Sequence, residues 1–249
     1  SRFYVRMNKA DFTKIKWRKK MNKKVLVVAA HPDDEILGCG ATILKHILDG
    51  DFVHILIMAE GITSRQEIRD VENNKDNLLL LHNHSYVVAK KLGAEKFTML
   101  NFPDNRMDSI DLLDIIKPVE KIIENDNIEI IYTHFINDIN IDHQITHKAV
   151  VTAARALPCR NIKQILFFET PSSTDYQIYS DVHSFTPNWF VDVEDFIDRK
   201  IEILKEYDSE MRKYPHSRSY DGIKILAQYR GLAIGRKYAE AFVLGRNIL

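Results

Sequence analysis

Five short runs of β-branched and apolar residues punctuate this chain, and helical patterns fill the spaces between them. "KVLVVAA" (24–30) is apolar on both faces of the strand it would form. "DEILGCGATILKHILDG" after it reads as a helix closed by Gly50. "FVHILIMA" (52–59), "KFTMLNF" (96–102), "IEIIYTH" (128–134) and "IKQILFFET" (162–170) are the further strands. Helices are expected over 66–92, ending at Gly93, over "LLDIIKPVEKIIEN" despite Pro118, and over "DHQITHKAVVTAARAL". A strand without polar alternation has no solvent face, so its sheet must be covered on both sides. Strand–helix alternation joins such strands in parallel. The expected fold is therefore α/β, a Rossmann-like three-layer sandwich around a mostly parallel sheet.

From 171 onward the pattern changes. "TPSSTDYQIYSDVHSFTPN" is loop-like, "WFVDV" is a short strand, and 195–213 and 219–234 read as two helices. We expect 171–249 to be a helical cap portion of one domain spanning 21–249. Residues 1–20 form an N-terminal extension, to which no function is assigned; "MNKKVLVVAAH" from Met21 leads straight into the first strand.

Lys+Arg and Asp+Glu are both 35, so there is no basic excess of the kind that marks nucleic-acid binding. Cys39 and Cys159 are too few for a disulfide framework and read as free thiols of a reducing compartment. No apolar run reaches the roughly 20 residues of a membrane span. The first 20 residues also lack the apolar centre of a signal peptide. A cytoplasmic protein is expected, and "WFVDV" and "EAFVLG" are candidates for packing between subunits of a homo-oligomer.

Ligands of open parallel sheets bind beyond the carboxyl ends of the strands, and polar residues gather at those tips. Strand one ends in His31-Pro32-Asp33-Asp34-Glu35. A helix N-terminus explains one or two of these acids through capping and the dipole, but not the histidine. His-x-x-Asp allows His31 and Asp34 to aim at one metal ion, with Asp33 beside it, unbound and placed to take a proton from water. Glu35 reads as a helix-start residue or a support of the site. In "HFINDINIDHQITH" (134–147), His143 and His147 are i and i+4 on one helix face. His143 lies in the first turn, at the same sheet edge as His31 and Asp34. Two histidines and one aspartate leave an open position, the pattern of catalytic zinc. His147 lies one turn deeper and is placed with the substrate-facing residues. "GCG" (38–40) is not a dinucleotide fingerprint, which disfavours a nicotinamide-dependent oxidoreductase.

"AAHPDDE" after the first strand and "DINIDH" after the fourth resemble the LmbE/PIG-L zinc-dependent N-acetylglucosaminyl deacetylases. The likeness runs from about Met21 to Phe242 and includes "EGITSR", "FPDNRMD", "ETPSST" and "PHSRS". It implies an LmbE-like fold, Zn2+ held by His31, Asp34 and His143, and Asp33 as general base. It further implies an N-acetylated sugar as the small-molecule substrate. Many members have His-Pro-Asp-His where this chain has Asn140-Ile141-Asp142-His143. Asn140 can donate a hydrogen bond to an oxyanion but cannot carry a proton, which moves the acid role to Asp33 or His147. Arg65, Asp104 and Asn105 sit on neighbouring strand tips and are assigned to substrate hydroxyls or a phosphate. His216 and Arg218 in "YPHSRS" are candidates to complete the pocket from the cap region, with a surface helix-capping loop the favoured reading. Two other readings stand at this point. One is a metal-dependent phosphoesterase, which would usually bridge two metals; the other is a non-catalytic sugar-binding protein with structural zinc.

Overall fold

The computed structural model describes residues 22–65, 67–178 and 184–249; the N-terminal extension lies outside them. Five strands follow the expected runs: β1 Lys24–Ala29, β2 Phe52–Ala59, β3 Lys96–Phe102, β4 Ile130–His134 and β5 Gln164–Phe168. All five pair in parallel, in the order β3-β2-β1-β4-β5. Helices α1 (Asp34–Leu48), α2 (Lys75–Leu92), α3 (Leu112–Asp126) and α4 (Ile141–Ala153) connect them.

The double-sided burial foreseen for β1 is realised residue by residue. Val25 and Val27 join a core with Ile36, Ile43, Val88 and Leu92 of α1 and α2. Leu26 and Val28 face the opposite way, into a core with Ile115, Val119, Ala149 and Val150 of α3 and α4. Alternate side chains of one strand therefore feed two separate hydrophobic layers.

Helix α2 begins at Lys75 rather than near 66. Side chains in the preceding stretch take up local bonds that compete with a helix. Arg69 forks onto both oxygens of Glu60, and Asp70 accepts the backbone N–H of Asn73.

The C-terminal portion does more than cap. It supplies α5 (Ile197–Leu204) and α6 (Tyr220–Leu232), and also two strands, β6 (Trp189–Asp192) and β7 (Ala239–Asn247). β7 runs antiparallel to β5, and β6 antiparallel to β7, extending the sheet to seven strands. "EAFVLG", a candidate for intersubunit packing, is the body of β7; Phe242 within it is fully buried with its ring 5.2 Å from that of Tyr132.

The chain winds outward from β1 through β2 to β3, then returns to β4 and β5 on β1's other side. The reversal falls between β1 and β4, and a crevice at such a switch point is where α/β sheets bind ligands. Both histidine-bearing tips open onto it.

Candidate active site

β1 ends at Ala29, and the next four residues form a tight loop into α1, which starts at Asp34. Asp33 occupies the N-cap position with φ 95° and ψ −28°, a left-handed conformation rare outside glycine. Its side chain makes no cap bond, so the capping explanation for this acid does not hold. Its carboxylate Oδ2 instead accepts from Arg218 Nη1 at 3.0 Å, and its backbone N–H donates to Glu35 Oε2 at 3.0 Å. The other Glu35 oxygen accepts the hydroxyl of Tyr207 at 2.9 Å. The loop after β2 closes against this turn. Gly61 has φ 81°, and a Cβ there would lie 2.8 Å from Pro32 Cδ.

Helix α4 is started by Asn140, whose Oδ1 accepts from the amides of Asp142 (2.9 Å) and His143 (3.4 Å). That cap fixes the first turn and with it the direction of His143. Asp34 Oδ2 then lies 3.2 Å from His143 Nε2 and 3.3 Å from His31 Nδ1. His31, Asp34 and His143 are one of the groups able to hold a metal ion.

The donor set fits a divalent cation. The outward nitrogen of each histidine meets a carboxylate. His31 Nε2 is 3.0 Å from Asp142 Oδ2, and His143 Nδ1 is 3.0 Å from Asp138 Oδ2, off the line of a straight hydrogen bond. A proton on the outer nitrogen leaves the inner lone pair for a metal, the arrangement that orients metal-binding imidazoles. Charge agrees with geometry. Burial alone would lower both imidazoles, but Asp142 and Asp34 carry His31 up to about 10, and Asp34 and Asp138 carry His143 to about 9. Burial works to raise Asp34, yet the neighbouring histidines hold it well below the usual carboxylate range. The carboxylates of Asp34, Asp138 and Asp142 thus favour positive charge at this point of the cavity.

Two further carboxylates in the motif behave differently. Burial first, then the charge of Asp34, pushes Asp33 up to about 7 against the pull of Arg218. Burial and the Asp33 charge raise Glu35 to about 8.

A cavity of about 200 Å3 opens over this centre. Of the residues expected in the site, His31, Asp33, Asp34, Asp104, Asn105, Asn140 and His143 line it. Asp104 is tied down by the amide and hydroxyl of Ser64, and Asn105 Oδ1 accepts from Asn140 Nδ2 at 2.8 Å. His147 is not among the lining residues: its Nδ1 donates to the carbonyl of His134 at 2.8 Å, and its ring packs on Phe167. The backbone of Arg65 ends a short 3-10 turn, Thr63–Arg65, while its side chain lies outside the described residues.

Arg218, a candidate to complete the pocket from the cap region, stands before Ser219, the N-cap of α6, and its guanidinium lines the cavity. Two further residues join the site. Asp142, next to His143 in the chain, faces His31 Nε2 with its Oδ2 at 3.0 Å. His134, visible as a polar strand tip, stacks on His143 at 3.9 Å between centroids. Its Nε2 accepts the amide of Ala30 at 2.9 Å, so its proton is on Nδ1, toward Thr170. Burial and the His143 charge hold it neutral.

His31, Asp34 and His143, a group able to hold a metal ion, thus lie at the switch point beside the buried carboxylate of Asp33, which is outside that group. Comparison with known proteins gives the class of the enzyme. Residues 26–154 match the family profile described as PIG-L, GlcNAc-PI de-N-acetylase. An uncharacterized deacetylase of Escherichia coli strain K12, YaiS, is 32% identical over 193 residues, covering 75% of this chain and 91% of that protein. The diacetylchitobiose deacetylase of Thermococcus kodakarensis is 25% identical over 223 residues, 88% of this chain and 81% of that one. Among solved structures, the N,N'-diacetylchitobiose deacetylase of Pyrococcus horikoshii, in complex with its inhibitor MPG, superposes with a TM-score of 0.72 at 20% identity. The match covers 91% of this chain and 85% of that one. The chain belongs to the PIG-L family, and it is an enzyme of the deacetylase class.

Proposed function

We propose that this enzyme uses Zn2+ held by His31, Asp34 and His143 to hydrolyse the N-acetyl group of an amino sugar or sugar conjugate. The observation that carries the reading is the convergence of His31 Nδ1 and His143 Nε2 on Asp34 Oδ2, with Asp33 beside them but outside that group. Zinc held by these two nitrogens and one oxygen would supply Lewis acidity, bringing the pKa of water to roughly 7.

The chain's own residues do the remaining work. Asp33 accepts a proton from the attacking water and returns it to the amine nitrogen as the C–N bond breaks, releasing acetate. Asn140 has one N–H engaged by Asn105 and a second for the carbonyl oxygen as it becomes an oxyanion. A donor placed there contributes about 3–4 kcal/mol. Asp104, Asn105 and Arg65 are assigned to sugar hydroxyls. The mostly polar lining, with Leu81 and Pro32 its larger apolar members, suits a hydroxyl-rich ring.

The rival readings fit less well. A second metal at the neighbouring group, His31 with Asp104 and Asp142, would compete with donors already in place. Asp142 accepts from the amides of Asn105 and Met107, and Asp104 from Ser64. That weighs against a two-metal phosphoesterase. A structural zinc would want a fourth protein ligand, whereas His31, Asp34 and His143 line a cavity.

A cytoplasmic setting belongs to the same proposal and suits the free thiols Cys39 and Cys159. Among the described residues, no helix is long and apolar enough to cross a membrane.

The test is acetate release from a panel of N-acetylated sugars, nucleotide sugars and lipid-linked sugars, with and without chelator. Activity should vanish on chelation and return with zinc. Asp33→Asn should keep its metal and lose about 10²–10⁴ in turnover. A zinc-loaded enzyme silent across the panel, or an active Asp33→Asn, overturns the reading.

A further inference from the structure

Asp33 poses a problem of aim. A carboxylate at an N-cap commonly turns onto the amides of the following turn, but that of Asp33, on a left-handed backbone with φ 95°, makes no such bond and points elsewhere. Arg218 meets it from the C-terminal portion, 185 residues away in sequence. The guanidinium is itself braced: Nε donates to Ser172 Oγ at 3.0 Å while Nη1 donates to Asp33 Oδ2 at 3.0 Å. Its backbone is fixed as well, since the amide donates to His216 Nδ1 and the carbonyl accepts from Arg212. The side chain is only 21% exposed. Three segments thus converge on one carboxylate: the loop after β1, the loop after β5 and the loop before α6.

We propose that Arg218 is a positioning residue of the deacetylation, holding Asp33 Oδ2 so that Oδ1 faces the reacting water. The role rests on the reading of Asp33 as the proton carrier. A guanidinium suits the task because its planar fork bonds Ser172 and Asp33 at once, which a lysine ammonium on a flexible stem does not reproduce. The C-terminal portion is therefore part of the site. Tyr207 sets Glu35, Glu35 holds the amide of Asp33, and Arg218 holds the carboxylate of the same residue.

Arg218→Ala and Arg218→Lys, each loaded with zinc, separate this role from its competitors. In crystals of Arg218→Ala the Asp33 carboxylate should leave its rotamer while zinc stoichiometry stays at the wild-type level. Turnover should fall about 100-fold, the scale of a misplaced catalytic group, with KM little changed. Arg218→Lys should recover part of the loss, and added guanidinium ion should rescue Arg218→Ala but not the wild type. Ser172→Ala, which removes only the brace, should lose less than Arg218→Ala. Asp33 keeping its rotamer in Arg218→Ala overturns the proposal, and so does a raised KM with unchanged kcat, which would make Arg218 a substrate clamp. The crystallographic result needs no turnover. A wild type that deacetylates nothing in the panel therefore refutes the proposed function without deciding this one.

Discussion

Asp142 shows how much of a metal site lies outside its ligands. Its Oδ2 faces His31 Nε2 at 3.0 Å and accepts the amide of Asn105 at 2.7 Å, and its Oδ1 accepts the amide of Met107 at 3.0 Å. One buried carboxylate thus orients a metal-site imidazole and anchors the loop that carries Asp104 and Asn105. Asp142→Asn puts an N–H2 group where only donors arrive, leaving either His31 or a backbone amide unsatisfied. Zinc affinity should fall about 10–100-fold, read by competition with a chromogenic chelator, while His147→Ala should bind zinc as the wild type does. An Asp142→Asn enzyme with unaltered affinity removes this carboxylate from the site. His31, Asp33, Asp34 and His143 were legible in the sequence because spacing along one loop or one helical turn places them. Arg218, Tyr207 and Asp142 act through contacts across more than 100 residues, which no local period reveals.

Helix α1 carries its own interruption. Cys39, centre of the "GCG" stretch, sits at φ −148° and ψ 23°, and the helix breaks there. Gly38 lets Phe168 approach to where a Cβ would lie, 2.3 Å from its ring, and Phe168 in turn packs at 4.7 Å on His134. The broken helix exposes backbone groups that need partners. Glu240 of β7 accepts the amides of Ala41 (3.0 Å) and Thr42 (2.7 Å), and Lys200 of α5 donates to the carbonyl of Leu37 and to Glu240, both at 2.7 Å. The ion pair is buried, with side chains 4% and 6% exposed, so removing one partner strands the other charge. Glu240→Ala and Lys200→Met should each cost about 3–5 kcal/mol, and the double variant clearly less than their sum, measured by urea unfolding. Strict additivity would show that the two charges do not depend on each other. "GCG" could be excluded as a nucleotide loop from sequence, but its use as a break sealed by β7 could not be seen without β7 in place.

Across the whole molecule, the five parallel strands were legible, four of them because burial on both faces leaves a largely apolar run; β3, at the sheet edge, has no buried residue. Their order was not, since strand order depends on which helices pack together. β7 escaped notice for a related reason: its partners β5 and β6 decide that "EAFVLG" is a strand, and its own pattern does not. Long-range ties of another kind hold the α3–α4 layer. Glu120 of α3 accepts from Lys117 at 3.0 Å, Arg155 at 2.7 Å and Arg160 at 3.2 Å, fastening α3 to the segment that follows α4. Lys117 first, then Arg155 and Arg160, hold its carboxyl down to about 2 from the ordinary 4.5. Folding lowers this pKa, so the unfolded chain takes up the proton more readily. The contribution is complete above about pH 4.5 and disappears as pH falls through 2. A shift of that size corresponds to roughly 3 kcal/mol. Lys117 and Arg155, however, are 62% and 50% exposed, and solvent screening reduces the expected figure to about 1 kcal/mol. Glu120→Gln should therefore unfold at lower urea than the wild type by the same margin at pH 7 and pH 5. That margin should shrink steadily as the pH is taken down toward 2.5. A gap that persists undiminished at pH 2.5 would mean that Glu120 stabilises the layer by shape and neutral hydrogen bonds rather than by its charge.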